Sequence, residues 1–293
     1  MAATLLELHN RVLAHLAGDI AQAPLGGVGI FHSRRAQSLH NVPIHHPLMV
    51  LVASGCKVIA LGERKINVLP GELLLLPGGC SVEVGNHPGR QGEDYLGLAI
   101  AFSEESIALF RRNYGAEHVN HSAPQWSAPA PDGVVTAMAQ WVDWCMLHTP
   151  DHTLVHHRQV EFLLLLARAG VAGNLLLNRE ASWRERVAQL TALDPSHDWC
   201  LGEVCQRLGI GESTLRRRLQ EEQSGFREVL EETRMVAGLA LLQETFWPVG
   251  QVAEAVGYNS HSRFSERFKR RFGLSPTELK KTRESGTRQK RSD

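Results

Sequence analysis

Residues 248–279 read PVGQVAEAVGYNSHSRFSERFKRRFGLSPTEL, and this stretch decides the fold of the C-terminal half. Pro248 suits the first turn of a helix, where a missing N–H costs nothing. Val252, Ala253 and Val256 then form an apolar stripe that stops at Gly257. Gly257, Tyr258, Asn259 and Ser260 turn the chain. Ser260 can cap a second helix whose buried face is Phe264, Phe268 and Phe272 at i, i+4 and i+8. The opposite face carries His261, Ser262, Ser265, Glu266 and Lys269. A short helix, a glycine turn and a second helix with a polar outer face make the helix-turn-helix arrangement, whose second helix enters the major groove of DNA. Lys269, Arg270 and Arg271 close that helix with positive charge where a phosphate backbone can lie. Gly273, Leu274, Ser275 and Pro276 end it before a last amphipathic turn.

An ordinary helical hairpin with a solvated face would share this periodicity, but the pattern occurs twice. Upstream, residues 201–208 (LGEVCQRL), Gly209 and Ile210, and residues 212–223 repeat the order of helix, glycine turn and helix. Leu215 and Leu219 stand there in place of Phe264 and Phe268. Arg234, Leu241, Leu242, Ala253, Gly257, Tyr258, Phe264, Phe268, Lys269, Gly273, Ser275 and Pro276 together resemble the signature of the AraC/XylS transcription regulators. That family has two helix-turn-helix units joined by a long helix. The resemblance spans residues 182–283, about a third of the chain. It departs at Gly238 and Cys205, where the family usually has Ala, and at Glu266, where many members carry Arg.

At 293 residues, 43% hydrophobic and 21% charged, the chain has the composition and length of two globular domains. The net charge is zero, but residues 1–180 carry −3 and residues 181–293 carry +3, a modest asymmetry in the direction of a DNA-binding C-terminal half. Five cysteines without a C-x-x-C pair indicate neither a disulfide framework nor a zinc ribbon. The N-terminus lacks the pattern of a signal peptide, and the longest apolar run falls far short of a membrane span. These features lead to the expectation of a soluble cytoplasmic protein.

Leu5, Leu8, Val12 and Leu16 predict an amphipathic first helix. Runs at 47–54, 57–61, 65–69, 72–76, 81–84 and 95–102, separated by Gly, Pro and Asn, read as strands of an all-β barrel or sandwich. They resemble the small cupin barrel at the N-terminus of many such regulators. A Pro/Ser/Ala-rich loop over 122–132 precedes two helical stretches, 134–147 and 153–169, whose short connection predicts antiparallel packing. The expected fold class is therefore α+β in two domains. A cupin-like β-barrel with a helical hairpin occupies residues 1–175, an all-α double helix-turn-helix occupies 181–285, and residues 286–293 form a disordered basic tail.

Candidate functional residues follow from this frame. In the first unit Ser213, Arg216, Arg217 and Gln220 share the face opposite Leu215 and Leu219, and Arg can bridge guanine O6 and N7. His261, Ser262, Ser265 and Glu266 are the base-facing candidates of the second unit. Glu266 either accepts from cytosine N4 or pairs with Arg263 or Arg270. Arg267, Lys269 and Arg270 are the phosphate candidates. The apolar surplus of the helical pair, Trp141, Trp144, Phe162, Leu163 and Leu166, divides between packing on the barrel and a homodimer seam, the latter implied by the resemblance. His45, Arg64 and Cys80 are candidate members of an effector pocket.

No cofactor and no metal site are expected. The fifteen histidines lack the H-x-H spacing of a cupin metal centre, and His45 and His46, as strand neighbours, would point to opposite faces. G-x-S-x-G, P-loop and G-x-G-x-x-G motifs are absent, so no enzyme chemistry is supported. The expected partners are promoter DNA, RNA polymerase, a small-molecule effector and a second copy of the chain, with no membrane. A ligand-independent dimeric regulator and a cupin enzyme fused to a helical module are the alternatives.

Overall fold

A computed structural model of the chain describes residues 2–17, 26–89, 92–118, 124–177 and 181–283. The expected tail at 286–293 lies outside the described residues. After α1 (Ala2–Ala17), eight strands follow: β1 (Gly29–Ser33), β2 (Gln37–Ile44), β3 (Leu48–Ser54), β4 (Cys56–Leu61), β5 (Arg64–Val68), β6 (Glu72–Leu76), β7 (Cys80–His87) and β8 (Tyr95–Ala101). Then come α2 (Glu104–His118), a short β9 (Ser127–Pro129) inside the expected loop, α3 (Asp132–Leu147) and α4 (His152–Arg168).

The strands form two facing antiparallel sheets, β1-β8-β3-β6-β9 and β2-β7-β4-β5, rather than one closed barrel. This corrects the barrel expectation. Gly55, at φ 73°, lies between β3 of the first sheet and β4 of the second, and a Cβ there would meet the His87 carbonyl at 2.5 Å. The first sheet is covered on both sides, which is why β3 (LMVLVAS), β6 (ELLLL) and β8 (YLGLAIA) read as unbroken apolar runs. Its inner side chains Val50, Val52, Leu74 and Leu76 meet Leu39, Ile59, Val82 and Val84 of the second sheet. Its outer side chains Met49, Leu51, Leu73 and Leu75 lie under α1, α3 and α4. The second sheet has one exposed face, and β7 accordingly alternates between buried and exposed residues.

The C-terminal half is all helix: α5 (Trp183–Ala192), α6 (Leu201–Leu208), α7 (Glu212–Glu221), α8 (Phe226–Glu244), α9 (Val249–Ala255), α10 (His261–Phe272) and α11 (Pro276–Lys281). Ser182 and Ser275 each form a full capping box, with Glu185 and Glu278. Gly209 and Gly257 take positive φ at the two turns. At Gly257 a Cβ would come within 3.0 Å of the Arg234 guanidinium, so this turn requires glycine. Gly238 has a packing reason too. The Phe264 ring lies so close that an added Cβ would meet it at 2.9 Å.

The long helix α8 fixes the two units to each other through a buried carboxylate. Glu232, 5% exposed, accepts from Arg184 Nη2 on α5 at 2.6 Å and lies 2.5 Å from Arg271 Nη2 on α10. Arg184 also donates to Ser224 Oγ at 2.8 Å.

The helical half docks on the sandwich. The core of its second unit, including Met235, Leu239, Phe264 and Phe268, is continuous with the sandwich core. The backbone N–H groups of Arg34 and Arg35 donate to the Thr282 carbonyl at 2.7 and 3.1 Å. His40 of β2 lies against Gly273 at the end of α10, and Gln189 of α5 donates to Glu104 of α2 at 2.9 Å. A polar chain also runs from inside the sandwich to this junction. Lys57 Nζ donates to Asn86 Oδ1 at 2.8 Å, Asn86 Nδ2 to Gln37 Oε1 at 2.9 Å, and Gln37 Nε2 to Thr282 Oγ1 at 2.5 Å. Lys57 is 4% exposed and sits over the rings of Phe31 and Tyr95, 4.8 and 5.5 Å from their centroids. Burial pushes its ammonium pKa down from 10.5 to about 7.

Two outcomes are expected. Glu232→Ala leaves two half-buried guanidinium groups without their shared partner and should cost about 1.5–3 kcal/mol in urea unfolding, whereas replacing Arg184, Glu232 and Arg271 together by Met, Leu and Met should cost less. Between pH 7 and 10.5 the unfolded chain holds a proton on Lys57 that the folded chain does not, so this residue's contribution to stability rises with pH across that window. Glu244, raised to about 7 by burial, acts with the opposite sign, its contribution falling as pH rises from 4.5 to 7. Lys57→Met should therefore flatten the rise in stability between pH 7 and 9, and an unchanged rise would show that Lys57 is not its source.

Candidate nucleic-acid interface

The two recognition helices are built alike but armed differently. On α7, Leu215 and Leu219 are buried while Ser213, Arg216, Arg217 and Gln220 are all exposed on the outer face. Each arginine is loosely held by a carboxylate of its own helix: Arg216 by Glu212 at 3.6 Å, and Arg217 by Glu221 at 3.8 Å. Arg218, which the sequence reading did not single out, lies 3.4 Å from Glu221 and adds a third exposed guanidinium. Exposed i,i+3 and i,i+4 pairs are worth only a few tenths of a kcal/mol, so phosphate or guanine can displace these carboxylates cheaply.

On α10, the Ser260 hydroxyl caps the Arg263 N–H at 3.3 Å, and Phe264, Phe268 and Phe272 are buried. Ring centroids of successive phenylalanines lie 5.6 and 4.7 Å apart. His261, Ser262 and Glu266 are exposed and Ser265 is half-buried. Of the phosphate candidates, Lys269 is exposed and faces Glu278 at 3.8 Å, and Arg270 is exposed and faces Glu231 at 3.7 Å. Arg267 is half-buried and tied directly to Glu231 on α8, which raises its pKa by hydrogen bonding. Glu231 thus takes the place beside Arg270 that the sequence offered to Glu266.

The remaining candidates do not gather as expected. Trp141, Phe162, Leu163 and Leu166 are buried in the chain's own core, because one face of the helical hairpin lies on the first sheet. Of the five seam candidates only Trp144 reaches the surface, stacked on Trp141 at 5.2 Å and beside the exposed Leu147 and Leu154. Arg64 is exposed on β5 above the Trp126 ring, and the Cys80 thiol donates to the Pro77 carbonyl at 3.3 Å. Of the three effector-pocket candidates, His45 lines a cavity of about 470 Å³, with His46, Glu104, Arg111, Glu185 and Arg186. This cleft lies between the sandwich, α2 and α5. His45 Nε2 and His46 Nδ1 are buried there without a hydrogen-bond partner among the described residues, and burial lowers the pKa of both rings. The sequence carried no sign of this cleft, because its walls come from segments far apart in the chain, from His45 to Gln189.

Comparison with known proteins accords with this geometry. Residues 204–282 match the family described as "Helix-turn-helix domain". The chain is 33% identical over 190 residues to the HTH-type transcriptional regulator YdeO of Escherichia coli (strain K12), covering 62% of this chain and 72% of that regulator. It is 22% identical over 251 residues to the transcriptional activator AggR of Escherichia coli, covering 82% of this chain and 92% of AggR. The fold is shared with unsaturated fatty acid-bound ToxT of Vibrio cholerae, at a TM-score of 0.58 and 13% identity over 87% of this chain and 94% of that one. With paired helix-turn-helix units behind a two-sheet N-terminal half, the chain belongs to the AraC/XylS family of sequence-specific DNA-binding transcription regulators.

Proposed function

We propose that this regulator reads DNA chiefly through its first unit. The observation that carries this reading is the exposed face of α7, where Ser213, Arg216, Arg217 and Gln220 stand together with nothing above them but weak ion pairs. Arg216 and Arg217 are the guanine-contacting groups, and Ser213 and Gln220 flank them. The second unit contributes His261, Ser262 and Ser265 as permissive contacts, with Lys269 and Arg270 as phosphate anchors. Glu266, exposed and in no ion pair among the described residues, is a weak reader. The unit of action is a homodimer that activates transcription by RNA polymerase at the bound promoter. Its seam is the outer face of the helical hairpin at Trp144, Leu147 and Leu154; Leu147 is 79% exposed.

Control by a small molecule is supported by the cleft lined by His45 and His46. A ligand there would touch both halves and so bias their relative placement. A neighbour in fold, ToxT, binds an unsaturated fatty acid, which places amphiphilic carboxylates among the first compounds to test. The ligand-independent reading draws on the sandwich interior, which is filled by Val50, Val52, Leu74, Leu76, Val82 and Val84. The chain acts as a regulator and not as an enzyme in this proposal.

Binding of the full chain to a randomised duplex library tests the DNA assignment. Arg216→Ala and Arg217→Ala should each relax preference in one half of the site by about 1–3 kcal/mol, and Lys269→Ala should weaken all sequences together and lower the salt slope by about 1. Unchanged preference in both arginine variants, with a rewritten preference in Glu266→Ala, would overturn it. For the effector, thermal shifts with small metabolites and unsaturated fatty acids should include at least one ligand whose effect is lost in His45→Ala. A set without any shift would favour the ligand-independent regulator.

A further inference from the structure

A second concavity of about 330 Å³ lies between α8 and the turn of the second unit. Four guanidinium groups line it, from Arg227, Arg234, Arg263 and Arg267, against a single carboxylate, Glu231. Two of the four are committed to the fold. Arg234 donates through Nε to the Pro195 carbonyl and through Nη2 to the His197 carbonyl, both at 3.0 Å, and Arg267 is tied to Glu231. The other two are exposed: Arg227 in the first turn of α8 and Arg263 in the first turn of α10. No ion pair of the described residues engages either side chain, whereas Arg216, Arg217, Arg218, Lys269 and Arg270 each face a carboxylate. The concavity therefore holds an excess of positive charge that the protein itself does not neutralise.

We propose that this concavity is the seat of a DNA backbone phosphate, with Arg227 and Arg263 as its ligands and Arg234 and Arg267 as its fixed walls. The inference rests on the DNA-binding reading above and adds a third contact region to the two recognition helices. Its place in the chain fits that role. Arg227 follows α7 by six residues, and Arg263 lies in the same first turn as the exposed His261 and Ser262 of α10, so the seat stands between the two groove-reading elements. A duplex whose successive major-groove segments meet α7 and α10 must carry its backbone across the interval between them. Guanidinium groups recognise phosphate oxygens by paired N–H donation, and two arginines converging on one cavity suit a single diester. Contacts of this kind fix register without reading sequence.

The test uses the full chain and a duplex that the wild-type protein selects from a randomised library. Arg227→Gln and Arg263→Gln, both at exposed positions, should leave the melting temperature and the preferred sequence unchanged. Each should weaken binding about ten- to a hundredfold and lower the salt slope by about 1. The double variant should lose little more slope than either single one, because both side chains serve one phosphate. Methylphosphonates placed one at a time along the backbone between the two half-sites should weaken wild-type binding at one position, and the double variant should be indifferent there. A double variant that keeps the wild-type slope and the wild-type sensitivity at every position would overturn the seat while leaving the DNA-binding reading intact. Wild-type protein without salt-dependent affinity for any duplex would instead overturn the reading on which the seat depends.

Discussion

Glu232 is the hinge of the DNA-binding half. A carboxylate that is 5% exposed must be paired and hydrogen-bonded, and here it is shared by Arg184 from the entry to the first unit and Arg271 from the end of the second recognition helix. Each arginine can be satisfied only if α5, α8 and α10 hold one mutual placement. Hydrophobic packing around Val229, Met235 and Leu239 tolerates small slippage of α8, but a two-sided ion pair with short contacts does not. The spacing and phase of α7 and α10, and with them the positions of Arg216, Arg217 and Lys269, descend from this constraint.

The same helix carries the second unit onto the sandwich. Apolar continuity between the Phe264–Phe268 cluster and the sheet core makes the junction adhesive, while the hydrogen bonds to Thr282 make it specific. Lys57, Asn86 and Gln37 link that specificity to the sandwich interior. Burying an amine is costly unless its proton is lost or well partnered, and a pKa near 7 leaves Lys57 between these two solutions.

The helical half was legible in the sequence because its rules are local. The cap at Ser260, turns at Gly209 and Gly257, and apolar residues at helical spacing all act within one or two turns. The strands were partly legible. β3, β6 and β8 announced themselves by unbroken apolar runs, but β2 has Pro43 and a positive-φ Asn41 with a register shift, and β9 is three residues long. Whether strands close into a barrel or face each other as two sheets depends on pairings between distant segments. The same non-locality hid Lys57 with Asn86 and Gln37, and it hid the cleft at His45. The seam residues show the converse limit. An apolar stripe at Phe162, Leu163 and Leu166 states that a helix face is buried, not by what, and the first sheet of the same chain is what covers it.

On the proposed DNA reading, one chain presents two recognition helices at a fixed spacing, held by α8 and the Glu232 pair, so that they enter successive major-groove segments about 10 bp apart. Affinity for selected duplexes in which base pairs are inserted singly between the two half-sites measures this most directly. A sharp loss is expected with the first inserted pair, the greatest loss near half a helical turn, and partial relief of the single-pair penalty in the destabilised Glu232→Ala variant. Equal affinity across all spacings in the wild-type protein would contradict it.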